Sequence, residues 1–121
     1  AAGKYYAYQA PEAGPFIPQA DTPLGNEPQG SVELALRVMA VLRIALPWSN
    51  LPATTALASL DPVSGQREGL LAGGNVLMPG FTPAAHREDY CIYDNKHRVS
   101  MDEARQVIES AGRTHSLHRE G

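Results

Sequence analysis

The sequence predicts an α/β protein: a partial β/α barrel of the TIM type, with about three parallel strands joined by crossover helices. Two apolar runs, 51–57 and 73–79, carry this prediction, because each ends in small, polar or soft residues. Parallel strands have such ends where their carboxyl termini face a ligand. The runs lie roughly twenty residues apart, which is the spacing of a β/α repeat. At 121 residues the chain is too short to close an eight-stranded barrel, which needs roughly 250.

The first thirty residues predict little regular structure. Residues 1–13 contain three tyrosines and predict an N-terminal arm or an extra strand. Residues 14–18 predict a brief strand, which their two prolines confine to a strand end or an edge. The stretch 19–30 is rich in Pro, Gly, Asp and Asn and predicts a loop. Within it, residues 21–24 predict a compact turn in which the Asp21 carboxylate can accept backbone N–H bonds.

The strongest helix signal begins at Ser31, a favourable N-cap, runs to about Leu46 and stops at Pro47. Apolar residues fill most of it. We therefore expect the helix to be covered on more than one side, by a sheet and by neighbouring helices. Only a narrow polar stripe remains, in which Glu33 and Arg37 are spaced for an i,i+4 ion pair.

The rest of the chain alternates short strands with helices, which favours parallel strands and right-handed crossovers. A last helix is predicted from the capping box of Ser100 and Glu103, and it ends at Gly112, before a polar tail over 113–121. The domain prediction is therefore an arm, a barrel segment over 14–112 and a tail. The elements predicted before the last helix are strand 51–55, a turn at 61–65, a helix over 66–72, strand 75–78 and a helix from Thr82 and Pro83.

Composition and charge exclude several function classes. The formal net charge of −3 gives no basic surface for nucleic acid or for an anionic membrane. No apolar run reaches the ~20 residues that span a bilayer, and the amino terminus lacks the order of a secretory signal. The single cysteine, Cys91, excludes an internal disulfide and suits a reducing compartment. We therefore expect a cytoplasmic protein with neither nucleic-acid nor membrane partners.

An ordered set of short motifs runs through the chain: Gly14-Pro15-Phe16-Ile17-Pro18, Asp21-Thr22-Pro23-Leu24, Arg43-Ile44-Ala45-Leu46-Pro47, Pro52-Ala53-Thr54-Thr55-Ala56-Leu57, Gly73-Gly74-Asn75-Val76-Leu77-Met78-Pro79, Thr82-Pro83 and Tyr90-x-x-Tyr93. In order and spacing the set resembles the radical S-adenosylmethionine maturase of FeFe-hydrogenase, of the biotin-synthase-like group. Each motif alone is weak, but the ordered set is specific. Biotin synthase is the alternative relative, because it shares the Thr-Pro-Leu turn. It resembles the chain less closely, because it lacks the Pro-Ala-Thr-Thr run.

The resemblance implies an enzyme that uses S-adenosylmethionine, a 4Fe–4S cluster and a small-molecule substrate. Members of the family hold the cluster on a Cys-x-x-x-Cys-x-x-Cys loop, which this chain lacks, and one cysteine cannot ligate a cluster. By resemblance the chain is the C-terminal part of the barrel. We expect it to supply the adenosyl and substrate side of the cavity wall and to be inactive alone.

The resemblance also implies a set of ligand-side residues: Ile17, Thr54, Thr55, Met78, Tyr90, Ile92 and Tyr93. A threonine hydroxyl can meet a carboxylate, a methionine can pack against an adenine, and a phenol offers apolar area with a hydrogen bond. Each residue also has a purely structural explanation. Threonines are common in strands and at helix caps, and the other side chains are common in hydrophobic cores. Arg67 is either a structural arginine or a solvated charge. We predict no catalytic residue and no metal ligand, since His115 and His118 have no partner carboxylate.

Two further hypotheses remain open. In the first, the chain is a binding or assembly module without chemistry of its own. Three strands in an open parallel sheet leave an edge and a face exposed, which favours self-association or pairing with the remainder of the barrel. In the second, the chain is an independent small hydrolase or transferase that uses Thr54, Thr55 and Tyr93, but the sequence offers it no nucleophile–base pair.

Overall fold

The computed structural model describes residues 11–80 and 98–116. Most of the predicted N-terminal arm, the helix predicted from Thr82, and the end of the polar tail lie outside these ranges. The described residues form four helices: α1 (Val32–Ala45), α2 (Thr55–Leu60), α3 (Gly65–Leu71) and α4 (Met101–Ser110).

The predicted partial β/α barrel with about three parallel strands is wrong for the described residues, which contain helices but no sheet. The two apolar runs meet only at an isolated parallel bridge between Pro52 and Val76. Beside it, Ala53 N donates to Val76 O and Asn75 N donates to Leu51 O, both at 2.9 Å. The pairing does not extend into a ladder, because Leu51 N donates to the Asn75 side chain instead of a backbone carbonyl and α2 begins at Thr55.

The strand predicted over 14–18 is a loop in the structure. Phe16 O accepts a hydrogen bond from Gly30 N at 2.6 Å, so a loop residue satisfies this carbonyl and no neighbouring strand does. The compact turn predicted at 21–24 is replaced by two overlapping turns in other registers. Thr22 N and Oγ1 both donate to Gln19 O, at 3.1 and 2.7 Å, and Gly25 N donates to Thr22 O at 2.9 Å.

Local capping signals explain the long helix α1, and its predicted bounds are confirmed. The Ser31 hydroxyl accepts from Leu34 N at 3.2 Å, which satisfies one of the free N–H groups of the first turn. Glu33 and Arg37 form the predicted i,i+4 ion pair. The helix ends at Ala45, just before Pro47.

The same helix buries only one narrow face, and its predicted cover on more than one side is not seen among the described residues. Ala35 and Met39 are its buried residues. Leu34, Val41 and Ile44 are 61%, 64% and 83% exposed. The described part of the chain therefore leaves an apolar surface of α1 in contact with solvent.

The last helix, α4, confirms the predicted capping box. Glu103 N donates to the Ser100 hydroxyl at 3.2 Å, and Ser100 N donates to the Glu103 carboxylate at 3.3 Å. The chain leaves the helix at Gly112, whose φ of 73° is the left-handed conformation expected of a glycine after a helix end.

One hydrophobic core joins α1, the two bridged segments, α2 and α3. A smaller cluster attaches α4, and Leu77 packs against both clusters. Helix α3 lies close to its neighbours at Gly69, where a Cβ would approach Leu57 Cδ1 to 2.9 Å and Ala53 Cβ to 3.0 Å. The buried members of the main core are Ala35, Met39, Leu51, Ala53, Leu57 and Leu70, and those of the smaller cluster are Ala58, Val99 and Ala104.

Arginine side chains bind backbone carbonyl oxygens at the ends of these helices. Arg67 Nε donates to Ser110 O at 3.3 Å, so Arg67 is a structural arginine that joins α3 to the end of α4. Arg113 Nη1 donates to Gly74 O at 2.8 Å, which ties the start of the polar tail to the second apolar run. Arg43 makes similar bonds at the end of α1.

Candidate functional site

The candidate site lies where the two bridged segments end. The parallel bridge pairs Pro52 with Val76, so Thr54 and Met78 each lie two residues beyond it, at the same end of the pair. Thr54 is still extended, with φ −72° and ψ 159°, and it is the N-cap residue of α2. This register places two of the predicted ligand-side residues at the same end of the pair.

Thr54 has a buried hydroxyl. Its Oγ1 is inaccessible to solvent and has no hydrogen-bond partner within the described part of the chain. Its backbone carbonyl has a partner, since Thr54 O accepts from Leu57 N at 3.2 Å. A buried hydroxyl that lacks a partner costs roughly 1–3 kcal/mol, so Thr54 Oγ1 is the polar atom at this end that most needs one.

The buried residue that sequence reasoning missed is Gln66, which is 4% exposed. Its Nε2 donates to Ala53 O at 3.2 Å and to Thr54 O at 3.4 Å. The amide therefore fixes the backbone on which the Thr54 side chain is mounted. Its only sequence signal is its place at the start of the predicted 66–72 helix, where a glutamine would ordinarily be solvated.

The 14–18 segment lies over Thr54. A Cβ built on Gly14 would come within 2.7 Å of Thr54 Oγ1, so only a glycine leaves that hydroxyl its space. Ile17, the ligand-side residue predicted in this segment, is half-buried. The structure thus brings the Ile17 segment and Thr54 together through Gly14.

The other predicted ligand-side residues either differ from their predicted placement or lie outside the described ranges. Thr55 is the first residue of α2, a helix that the sequence did not predict, and not the last residue of a strand. Met78 is 45% exposed. Tyr90, Ile92 and Tyr93 lie outside the described residues, so their convergence with Thr54 stays a prediction.

Two cavities occur elsewhere in the described structure. One of about 390 Å³ lies between the 62–67 region and α4, and one of about 800 Å³ lies between the second apolar run and α4. Ile17, Thr54, Thr55 and Met78 line neither of them. Neither of these two cavities is therefore the ligand site predicted at the end of the bridged pair.

The turn before α3 contains the one carboxyl group whose pKa is clearly shifted in the described structure. The Ser64 hydroxyl donates to Asp61 Oδ2 at 2.6 Å, and Ser64 N and Val63 N donate to Oδ1 at 3.0 and 3.2 Å. These hydrogen bonds, the Ser64 hydroxyl first, lower the pKa of Asp61 and outweigh the opposing effect of burial. Asp61 thus stabilises the turn as an anion.

Residues 11–80 and 98–116 contain no group of three His, Cys, Asp or Glu side chains able to hold a metal ion. His115 is exposed, and its predicted companion His118 lies outside these ranges. None of the helices α1 to α4 has the length and apolar character needed to cross a bilayer.

Comparison with known proteins identifies one relative. No protein-family model matches the chain. The chain is 48% identical over 83 residues to the FeFe hydrogenase maturase subunit HydE of Thermotoga maritima. The match covers 69% of this chain and 24% of that protein, so the chain spans about a quarter of its relative's length. An identity this high over this length confirms the resemblance drawn from the motifs: over the matched residues the chain is a homologue of a radical S-adenosylmethionine FeFe-hydrogenase maturase.

Proposed function

We propose that this chain contributes one wall of the ligand cavity in a radical S-adenosylmethionine enzyme related to the FeFe-hydrogenase maturases. The enzyme would act on a small molecule, with S-adenosylmethionine and a 4Fe–4S cluster as its cofactors. Homology to HydE supports the class of enzyme. The buried, unpartnered hydroxyl of Thr54 at the end of the bridged segments is the observation that supports the cavity wall.

The chemistry of Thr54 fits S-adenosylmethionine. A hydroxyl offers one donor and two acceptor positions, so it can bond the ligand's carboxylate, its ammonium group or a ribose hydroxyl. Met78, at the same end of the pair, offers an adaptable thioether that can pack against an adenine. In this proposal both residues bind and orient the ligand. Gln66 keeps the Thr54 backbone in place through its bonds to Ala53 O and Thr54 O.

The residues of this chain do not fit the 4Fe–4S cluster. Such a cluster is ligated by several cysteine thiolates, and the sequence contains a single cysteine. The cluster, which supplies the one-electron chemistry of the family, would have to be ligated by other parts of the full-length enzyme. We assign no step of that chemistry to this chain.

A chimera tests the proposed cavity wall. The matched segment of the Thermotoga maritima maturase would be replaced by the corresponding residues of this chain, and S-adenosylmethionine affinity measured by calorimetry after anaerobic reconstitution. Thr54→Val should weaken binding about tenfold, the loss of one hydrogen bond, and Thr54→Ser should restore it. Ser59→Ala, which removes a hydroxyl bonded within α2 to Thr55 O, is the matched control. Equal affinity in the Thr54→Val and parent chimeras, with equal thermal stability, would contradict the proposal.

A second candidate function is that of an assembly module, and the exposed apolar surface of α1 supports it. Leu34, Val41 and Ile44 expose most of their side chains on one helix. Burial of apolar area at about 25 cal/mol per Å² gives such a surface a substantial tendency to associate. The partner would be the remainder of the enzyme, in the same or a separate chain, or a second copy.

Light scattering coupled to size-exclusion chromatography tests self-association. If the surface pairs two copies, the mass should rise above the 13.0 kDa of one chain as concentration increases. Ile44→Glu should then restore the single-chain mass, while Glu27→Lys, an exposed change in the 19–30 loop, should not. A mass of one chain at every concentration would contradict pairing with a second copy.

A further inference from the structure

The larger cavity lies away from the Thr54 site and has a chemical character of its own. It measures about 800 Å³, within the range of small-molecule sites, and it is an open cleft bordered by the second apolar run, α4 and the residues after α4. Val76, Leu77 and Pro79 of the second run line it, whereas Thr54 and Met78 do not. The cavity and the Thr54 site are therefore lined by different residues.

Part of the cavity lining is aliphatic. Leu70 of α3, Leu77 of the second run and Ile108 of α4 contribute to its lining, so three separate elements supply aliphatic surface. Leu77 also packs against both hydrophobic clusters, which anchors this part of the lining in the core. An apolar ligand body of a few carbon atoms therefore finds a preformed surface here.

The charged side chains among the described lining residues are both arginines. Arg105 and Arg113 line the cavity beside the imidazole of His115, and no Asp or Glu occurs among the described lining residues, in a chain whose net charge is −3. The nearest acidic partner on α4 is Asp102, which approaches Arg105 at 3.7 Å. That pair is 44% and 89% exposed, so it contributes little and leaves Arg105 able to bond an anion.

Arg113 is already oriented. Its Nη1 donates to Gly74 O at 2.8 Å, and its backbone N donates to Ile108 O at 3.1 Å. A guanidinium has five N–H donors in a fixed plane, so this bond uses one of them and holds the plane of the others. A side chain fixed in this way loses little entropy when it binds a carboxylate.

We propose that this cavity binds a small amphipathic carboxylate, with its aliphatic body against Leu77 and Ile108 and its carboxylate between Arg105, Arg113 and His115. Planar guanidinium groups match the two oxygens of a carboxylate. The apolar lining selects against a small inorganic anion, and the uniform sign of charge selects against a cation. This site is separate from the proposed Thr54 wall, and its test does not depend on that proposal.

Nuclear magnetic resonance of the isotopically labelled full chain tests the site with hexanoate as the probe. Amide shifts near Leu77, Ile108 and Arg113 should change and saturate on titration. Hexanamide, which has the same aliphatic body but no charge, should bind about tenfold more weakly, the effect of losing the charge-assisted bonds. Inorganic phosphate should not displace hexanoate.

Variants locate the carboxylate. Arg105→Gln should weaken hexanoate binding about tenfold and leave hexanamide binding unchanged. Arg37→Gln, which removes an arginine from α1, is the matched control and should change neither affinity. The second variant is Arg113→Lys, which keeps a positive charge at a residue that also bonds Gly74 O. Thermal unfolding is the folding control for this variant. Equal affinities for hexanoate and hexanamide, displacement by phosphate, or shifts confined to other regions would each overturn the proposal.

Discussion

Arg43 and Gly73, thirty positions apart in the chain, are in direct contact: Arg43 Nε donates to Gly73 O at 2.8 Å. A Cβ built on Gly73 would lie 2.6 Å from Arg43 Cβ, and the φ of Gly73 is 132°, a conformation that side-chain-bearing residues rarely adopt. The end of α1 and the entry to the second apolar run can therefore approach this closely only through a glycine.

Replacing Gly73 tests the importance of that approach. We expect Gly73→Ala to lower the free energy of unfolding by about 2 kcal/mol or more, because it adds a steric clash to a strained φ. Gly112→Ala is the matched control: Gly112 also has a positive φ, of 73°, but nothing lies within 4 Å of its Cβ position. It should cost about 1 kcal/mol. Equal losses in urea denaturation would show that the crowding against Arg43 does not matter.

The guanidinium of Arg43 should be difficult to replace, even by another cation. Besides Gly73 O, it donates through Nη1 to Pro47 O at 3.0 Å and Ser49 O at 2.8 Å. Lysine cannot reproduce this planar set, so Arg43→Lys should destabilise the fold by about 2 kcal/mol. Arg37→Lys, at an exposed ion pair on the same helix, should change the free energy of unfolding by less than about 0.5 kcal/mol. Thermal unfolding of both variants decides between these outcomes.

The two faces of α1 should respond differently to truncation. Met39 is fully buried, so Met39→Ala should cost about 2–5 kcal/mol through lost apolar burial and the cavity left behind. Ile44 is 83% exposed, and Ile44→Ala should have almost no effect in dilute solution. A loss at Ile44 comparable to that at Met39 would mean that the apolar surface of α1 is covered in solution.

Acid should weaken the turn that contains Asp61. The folded-state pKa of Asp61 lies below its ordinary value of 3.8, so the carboxylate contributes stability that is fully present above that value. The contribution is lost as pH falls through the lower, folded-state pKa. Ser64→Ala removes the largest cause of the shift, and a carboxyl titration by nuclear magnetic resonance should show the pKa of Asp61 rising toward 3.8. Ser59→Ala, a control hydroxyl removal in α2, should leave that pKa unchanged.

Elements encoded by local signals could be predicted from the sequence. Helix α1 has a Ser31 cap and a proline stop, α4 has a capping box, and α3 ends before two glycines, so each begins and ends close to its predicted limits. Helix α2 was missed, because Thr54 and Thr55 favour extended backbone and the six-residue helix contains no strong start or stop signal.

Whether the two apolar runs form parallel strands could not be predicted from local signals of this kind. A strand exists only if a distant segment supplies its hydrogen-bond partners, and an apolar run does not specify them. In the structure, Leu51 N donates to the side chain of Asn75 at 2.8 Å, so a side chain provides a bond that a longer ladder would have provided. The burial of Gln66 beneath Thr54 depends on tertiary packing alone, so no local signal could predict it.

The arginine–carbonyl bonds at the helix ends have a consequence for mutational tolerance. Arg67 and Arg113 donate to the main-chain oxygens of Ser110 and Gly74, and every amino acid carries such an oxygen. A side-chain change at Ser110 therefore leaves the acceptor in place, while loss of Arg67 removes the bond altogether. The constraint therefore falls on the arginines alone. In a saturation-mutagenesis map, substitutions of Arg67 and Arg113 should lower stability, while substitutions of Ser110 should have almost no effect through this bond. Covariation between Arg67 and Ser110 would therefore not reveal the contact.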